Sequence, residues 1–296
     1  MPSIYMHEYI AVAALGRREC EASPAALALG AYGPDALYYH DPLAAGRRAN
    51  LGQRLHSTHT GDFILELMRA CAASAVARDY ARGFLTHYAA DCAFHPFVCA
   101  LSMTPLGYSS LRHMAVERAL DAWLTGLAGT HAHAALDEAE RVEIARAFCN
   151  AVARWSPDAA LTLSDMLQAM RRCRMGRVLG RLGESGTLRV SSESGDTSLT
   201  PEQLQAHALR GWVHPWTGLR CHDGPFELLG TALGRAGEMI AATERYWRGP
   251  LDAAVLRAVI GDMSYMSGID WRDTRPLRPI ELERLRAMRA AFRRQN

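Results

Sequence analysis

The chain has 296 residues, 49% apolar and 22% charged, and its formal balance of +2 is carried by 33 Arg with no Lys at all. Without lysine there is no amine for Schiff-base chemistry, no P-loop lysine and no kinase-type ATP anchor. No apolar run reaches the roughly 18 residues of a membrane span, and the near-neutral balance gives no argument for nucleic acid. The 49 Ala beside the 33 Arg point to compositional bias, but the chemical exclusions hold whatever its cause.

Residues 1–16 contain an apolar stretch from Tyr9 to Leu15, yet lack a basic n-region and carry Glu8, against a cleavable signal. Seven Cys with no C-x-x-C pair read as reduced thiols, so a soluble cytoplasmic chain is expected. Helix signals then dominate. Asp62 to Tyr80 is Ala/Leu-rich behind Thr60, a candidate N-cap. Gly83 to Phe94 continues until His95-Pro96, where the residue before proline is pushed out of the helical region. Ser109 or Ser110 caps a helix through Met114 to Leu127, and Asp137 to Ala153 and Ser164 to Leu179 follow. Residues 183–198, rich in Gly, Asp and Ser, read as a surface loop with one weak strand at Thr187 to Ser191. Helices resume at Pro201 to Leu209, Phe226 to Tyr246, Leu251 to Asp262 and Pro279 to Arg294. The arginines of the last, and the cluster Arg171, Arg172, Arg174, Arg177 and Arg181, read as solvated faces. The expectation is an all-α chain, a single multi-helix domain over 1–296 with about eight to ten helices.

Twelve His are distributed unevenly. His87, Asp91 and His95 recur at intervals of four, and four residues advance a helix by about 40°, so all three fall within roughly 80° of one face. His113 and Glu117 repeat the interval, with Asp121 one turn further. Imidazole and carboxylate together suit zinc or another first-row divalent ion. Phe84, Tyr88, Phe94 and Phe97 flank the first group, and charge buried among them is costly unless a metal neutralises it. Five ligands on two helices exceed the four that one tetrahedral zinc accepts, which implies at least two metals.

The ordered set G-A-Y-G-P-D-A-L-Y-Y-H, L-G-Q-R-L-H, G-F-L-T-H-Y-A-A-D-C-A-F-H-P and H-x-x-x-E resembles the zinc-dependent phospholipase C family. That family shares an all-helical trinuclear zinc fold with the fungal single-strand-specific nucleases. The likeness covers residues 1 to about 125, and more weakly W-V-H-P-W-T-G at 212–218. By resemblance His7 matches an early metal-binding His, and Asp35 matches the acidic ligand beside the water nucleophile. His56, with His59 as the competing choice, matches the next ligand. His87 and Asp91 match the helix pair, Asp91 bridging two metals, and His95, His113 and Glu117 form the remaining site. Secreted members bind metal through a mature N-terminal Trp. Here Pro2, exposed by removal of Met1, is the candidate, and loss of the third metal is the rival outcome. The Asp91–His95 interval is also shorter than in toxin-like members, and the family's head-group residues have no match.

Other histidines carry less. His40-Asp41 has the dipeptide of the HD phosphohydrolases without their context. His131 and His133 read as solvated, His207 and His222 carry no signal, and His214, between Trp212 and Trp216, is a cleft-lining candidate. No G-x-S-x-G nucleophile elbow is present. The resemblance implies a hydrolase of phosphoric esters using two or three zinc ions, with Asp35 orienting or deprotonating water. Its substrate would be a phosphoester such as a phospholipid head group. The alternatives are a nuclease or nucleotidase on the same site, disfavoured by the lack of a basic, aromatic-interleaved groove, and an inactive protein that keeps metal for stability.

Overall fold

A computed structural model describes residues 4–16, 20, 22–39, 49–104, 107–129, 135–184 and 199–273. Pro2, His40, Asp41, His131, His133, the Thr187–Ser191 strand and the Pro279–Arg294 helix lie outside them. The described residues are all-α but for two antiparallel pairs of two-residue strands. The first third of the chain holds α1 (Ile4–Leu15), α2 (Pro24–Gly30), a 3-10 turn (Gly33–Tyr39), α3 (Ala49–Ser57), α4 (Thr60–Cys71) and α5 (Ala75–Ser102). After β1 (Met103–Thr104) and β2 (Gly107–Tyr108) come α6 (Ser110–Ala128), α7 (Glu138–Trp155), α8 (Leu163–Glu184) and α9 (Pro201–Arg210). The strands β3 (Trp212–Val213) and β4 (Arg220–Cys221) precede α10 (Pro225–Trp247) and α11 (Ala253–Ile260).

Local chemistry accounts for several boundaries. Ser109 caps α6, its Oγ accepting from Arg112 N, and Asp137 opens α7 with a reciprocal capping box to Glu140. Three expected boundaries are corrected. The break after α4 falls at residues 72–74, where Ser74 Oγ caps α5 through Ala77 N, and not near residue 80. The helix expected to stop at His95-Pro96 instead runs on to Ser102. Proline removes the hydrogen bond to the Cys92 carbonyl, but Phe97, Val98 and Leu101 bury their side chains in a core one turn further on, which offsets that loss. Helix α8 likewise continues past Gly180 to Glu184, so residues 183 and 184 of the expected 183–198 loop are helical, and 185–198 lies outside the described residues.

Helix α5 is central, packing against α1, α2, α4, α6, α7 and α10. Its first half (Tyr80, Phe84, Leu85, Tyr88) joins one apolar core with α4, α7 and α10. Its second half (Phe94, Phe97, Val98, Leu101) joins another with α1, α6 and Trp212. Residues 87–95 sit where these two cores meet, so polar side chains there are held between rigid apolar walls.

Candidate metal centre

Five elements deliver eight acidic and imidazole side chains to this junction. They are His7 from α1, Asp35 from the 3-10 turn, His56 from α3, His87, Asp91 and His95 from α5, and His113 and Glu117 from α6. All except His113 are buried, and His113 is partly so. Their ligand-type atoms fall into three groups, His7–His87–Asp91, Asp35–His56–His87 and His95–His113–Glu117, with all atoms of a group within 4.8 Å of one another. The first two share His87. Asp91 links histidines of α1 and α5: Oδ1 lies 3.3 Å from His7 Nε2, and Oδ2 lies 3.1 Å from His87 Nε2 and 3.6 Å from His95 Nδ1. His56 Nε2 stands 2.9 Å from Asp35 Oδ1, and Glu117 Oε1 is 2.9 Å from His113 Nε2 and 3.6 Å from His95 Nε2.

The outer ring nitrogens explain the orientation. His56 Nδ1 faces the Gly52 carbonyl at 2.7 Å, His87 Nδ1 that of Ala31 at 3.0 Å and His95 Nδ1 that of Tyr265 at 3.1 Å. A carbonyl only accepts, so each Nδ1 carries a proton, and each ring, when neutral, turns an Nε2 lone pair inward. In this tautomer His87 Nε2 confronts Asp91 Oδ2 lone pair to lone pair. These two atoms, together with His7 Nδ1 and Glu117 Oε2, are buried without a hydrogen-bond partner. Buried polar atoms are rarely left so, and a cation among them resolves the mismatch. The donor set is nitrogen and carboxylate oxygen, the outer nitrogens are held as metal-bound histidines usually are, and the residues therefore fit zinc.

Charge couples the group in the metal-free state. Burial disfavours the imidazolium of His95, but Asp91 and Glu117 outweigh it and push the pKa up to about 9. His87 is raised in the same way by Asp91 and Asp35. For His7 burial wins, helped by repulsion from His87, and the pKa falls to about 4. Glu117, which burial alone would raise, is brought down to about 2 by His113 and His95, and Asp91 is lowered by His87 and His95.

The G-A-Y-G-P-D segment is intelligible atom by atom. Gly30 lets α2 approach the α5 backbone at Tyr80 so closely that a Cβ would strike the Tyr80 carbonyl. The Ala31 carbonyl orients His87, and the Tyr32 hydroxyl donates to Glu8. Gly33, at φ +49°, leaves the space that the His87 ring fills. Asp35 follows, against His56.

Some expected residues have other duties. His59 sits outside the cluster, exposed, in left-handed backbone at φ 50°, with Nδ1 facing Asp62 and its carbonyl accepting from Trp155. Asp121 faces the start of α1, accepting from Met6 N at 2.8 Å and Tyr5 N at 3.3 Å, so it caps the helix that carries His7. His214 is engaged on both ring nitrogens: its Nε2 donates to the Ser267 carbonyl and its Nδ1 accepts from Trp216 N and Thr217 N. It braces residues 262–271, a segment with no helical periodicity to announce it. Within that segment Tyr265 N donates to the His56 carbonyl at 2.9 Å, and the Tyr265 ring packs on His56 and His87 at 5.0 and 5.8 Å between centroids. Asp262 anchors the segment, accepting from Gly61 N and Trp271 Nε1 and pairing with Arg257.

Fold and site together define an all-helical protein whose buried histidine and carboxylate groups could hold metal. The family model described as zinc dependent phospholipase C matches residues 6–170, more than half of the chain, and the chain belongs to that family. No curated protein and no solved structure matches. Tyr265, Asp262 and His214 lie beyond the matched region.

Proposed function

We propose that this chain hydrolyses phosphoric esters in the manner of a phospholipase C. The observation that carries the reading is the convergence of eight histidine and carboxylate side chains in three groups, two of which share His87, with three of the five imidazoles fixed from behind by main-chain carbonyls. His7, His87 and Asp91 would hold one zinc, Asp35 and His56, with Asp91 shared, a second, and His95, His113 and Glu117 a third. Zinc bound there supplies Lewis-acid polarisation of the phosphoryl oxygens and acidifies water.

The chain's own groups do the rest. Asp35, whose Oδ1 is engaged by His56, orients the attacking water and accepts its proton as the water oxygen bonds to phosphorus. The bond to the leaving oxygen breaks, and that oxygen takes up a proton from solvent. Asp91, buried and held anionic by its histidines, keeps the neighbouring rings in register throughout. With no lysine in the chain, cationic help for phosphate comes from metal, with arginine or protonated histidine as the only side-chain sources. The phosphate is the recognised element, and a phospholipid head group is the substrate class the family suggests.

The test is turnover of bis-p-nitrophenyl phosphate, p-nitrophenyl phosphorylcholine and single-stranded DNA by zinc-loaded protein, with and without chelator. Chelator-sensitive release from the phosphorylcholine ester is expected. Cleavage of DNA in preference would favour a nuclease, and inertness toward all three would overturn the hydrolase reading.

A further inference from the structure

Two tyrosines with half-exposed rings flank the centre, and each places its hydroxyl near the outer nitrogen of a histidine. The Tyr38 hydroxyl is 3.3 Å from His56 Nδ1, and the Tyr108 hydroxyl is 2.8 Å from His113 Nδ1. The two contacts are not equivalent. His56 Nδ1 already has the Gly52 carbonyl at 2.7 Å, so its proton is placed without Tyr38. For His113 the phenol is the partner that stands where His56, His87 and His95 have a main-chain carbonyl.

We propose that Tyr108 is a positioning residue of the metal centre, its phenol oxygen accepting the Nδ1–H of His113 so that the Nε2 lone pair faces the space shared with His95 and Glu117. The inference rests on the metal-centre reading given above. A carbonyl can only accept, whereas a phenol can accept or donate, so the His113 ring is the one of these four whose tautomer depends on a side chain. In the other tautomer Nε2–H would donate to Glu117 Oε1, 2.9 Å away, and the lone pair would be lost to a cation. With Tyr108 accepting, the phenol's own hydrogen remains available on the open side of the site. Tyr108 reaches this place because β1 and β2 turn the chain back between α5 and α6, and Ser109, the next residue, caps the helix that carries His113.

Partners of the outer nitrogen typically change metal affinity by about 10- to 100-fold when removed. The experiment is zinc titration of the full chain against a chromophoric chelator, for wild type, Tyr108→Phe and Tyr38→Phe, with the cobalt(II) absorption spectrum of each. Tyr108→Phe is expected to weaken one zinc site by that factor and change the cobalt spectrum, leaving the other sites and the metal-free melting temperature as in wild type. Tyr38→Phe is expected to bind zinc within about twofold of wild type, its ring nitrogen keeping the Gly52 carbonyl. Tyr108→Phe with the affinities and spectrum of wild type would overturn the assignment while leaving the metal centre standing. A wild-type chain that binds no zinc would overturn both.

Discussion

Replacing Gly33 by alanine strikes the centre without touching a ligand. An ideal Cβ at Gly33 would stand 2.5 Å from His87 Cγ and 2.8 Å from His87 Nε2, well inside contact distance. The ring cannot withdraw easily: it is fully buried, its Nδ1 is held by Ala31 and it stacks on His7 at 4.5 Å. Left-handed backbone at φ +49° adds about 1–2 kcal/mol for a residue with a Cβ, and overpacking a rigid site about 1–3 kcal/mol, so roughly 2–5 kcal/mol of destabilisation is expected. His87 is a ligand in the first group and stands against the second, so the displaced ring should also cost zinc. Denaturant unfolding measures the first effect, and metal analysis of the purified protein the second. A Gly33→Ala protein with wild-type stability and a full zinc complement would refute the assigned packing of His87.

Other substitutions and conditions separate the roles. Asp91→Asn and His87→Ala should lose zinc and turnover together, whereas His59→Ala, outside the cluster, should keep its zinc; equal zinc content in Asp91→Asn would defeat the bridging role of that carboxylate. Asp121→Ala removes the acceptor at the start of α1 and should cost about 0.5–2 kcal/mol in thermal or denaturant unfolding, while an unchanged stability would leave the cap without energetic weight. The raised pKa of His95, about 9 in the metal-free chain, has two consequences. It stabilises the metal-free fold fully below the unfolded value near 6.5, and this contribution is lost as pH rises through about 9. Zinc at pH 7 must also displace the proton, so calorimetric heats of zinc binding should differ between buffers of different ionisation enthalpy, and buffer-independent heats would contradict a protonated His95.

Legibility from sequence followed the range of the interactions concerned. The caps Ser109 and Asp137 are local, acting over three residues, and their helices begin where those residues place them. The i, i+4 recurrence of His87, Asp91 and His95 is equally local, and it puts all three on the face of α5 where the two cores meet. The continuation of α5 through Pro96 is different in kind. It is decided by Phe97 and Leu101 finding a core built from α1 and α6, which no window around the proline contains. The same holds for Tyr265, whose carbonyl holds His95 from 170 residues away through a main-chain atom that every residue type shares. Gly33 lies between, since a glycine before Pro-Asp announces a turn, while the reason for it, the His87 ring, is 54 residues further on. Asp121 shows the limit of spacing as a guide: it continues the rhythm of His113 and Glu117 but faces the start of α1.

The most direct test is a crystal of zinc-loaded protein measured on both sides of the zinc absorption edge. The account predicts anomalous peaks at three positions, one among His7, His87 and Asp91, one among Asp35, His56 and Asp91, and one among His95, His113 and Glu117. Absence of zinc from all three, or zinc bound only at residues outside them, would contradict it.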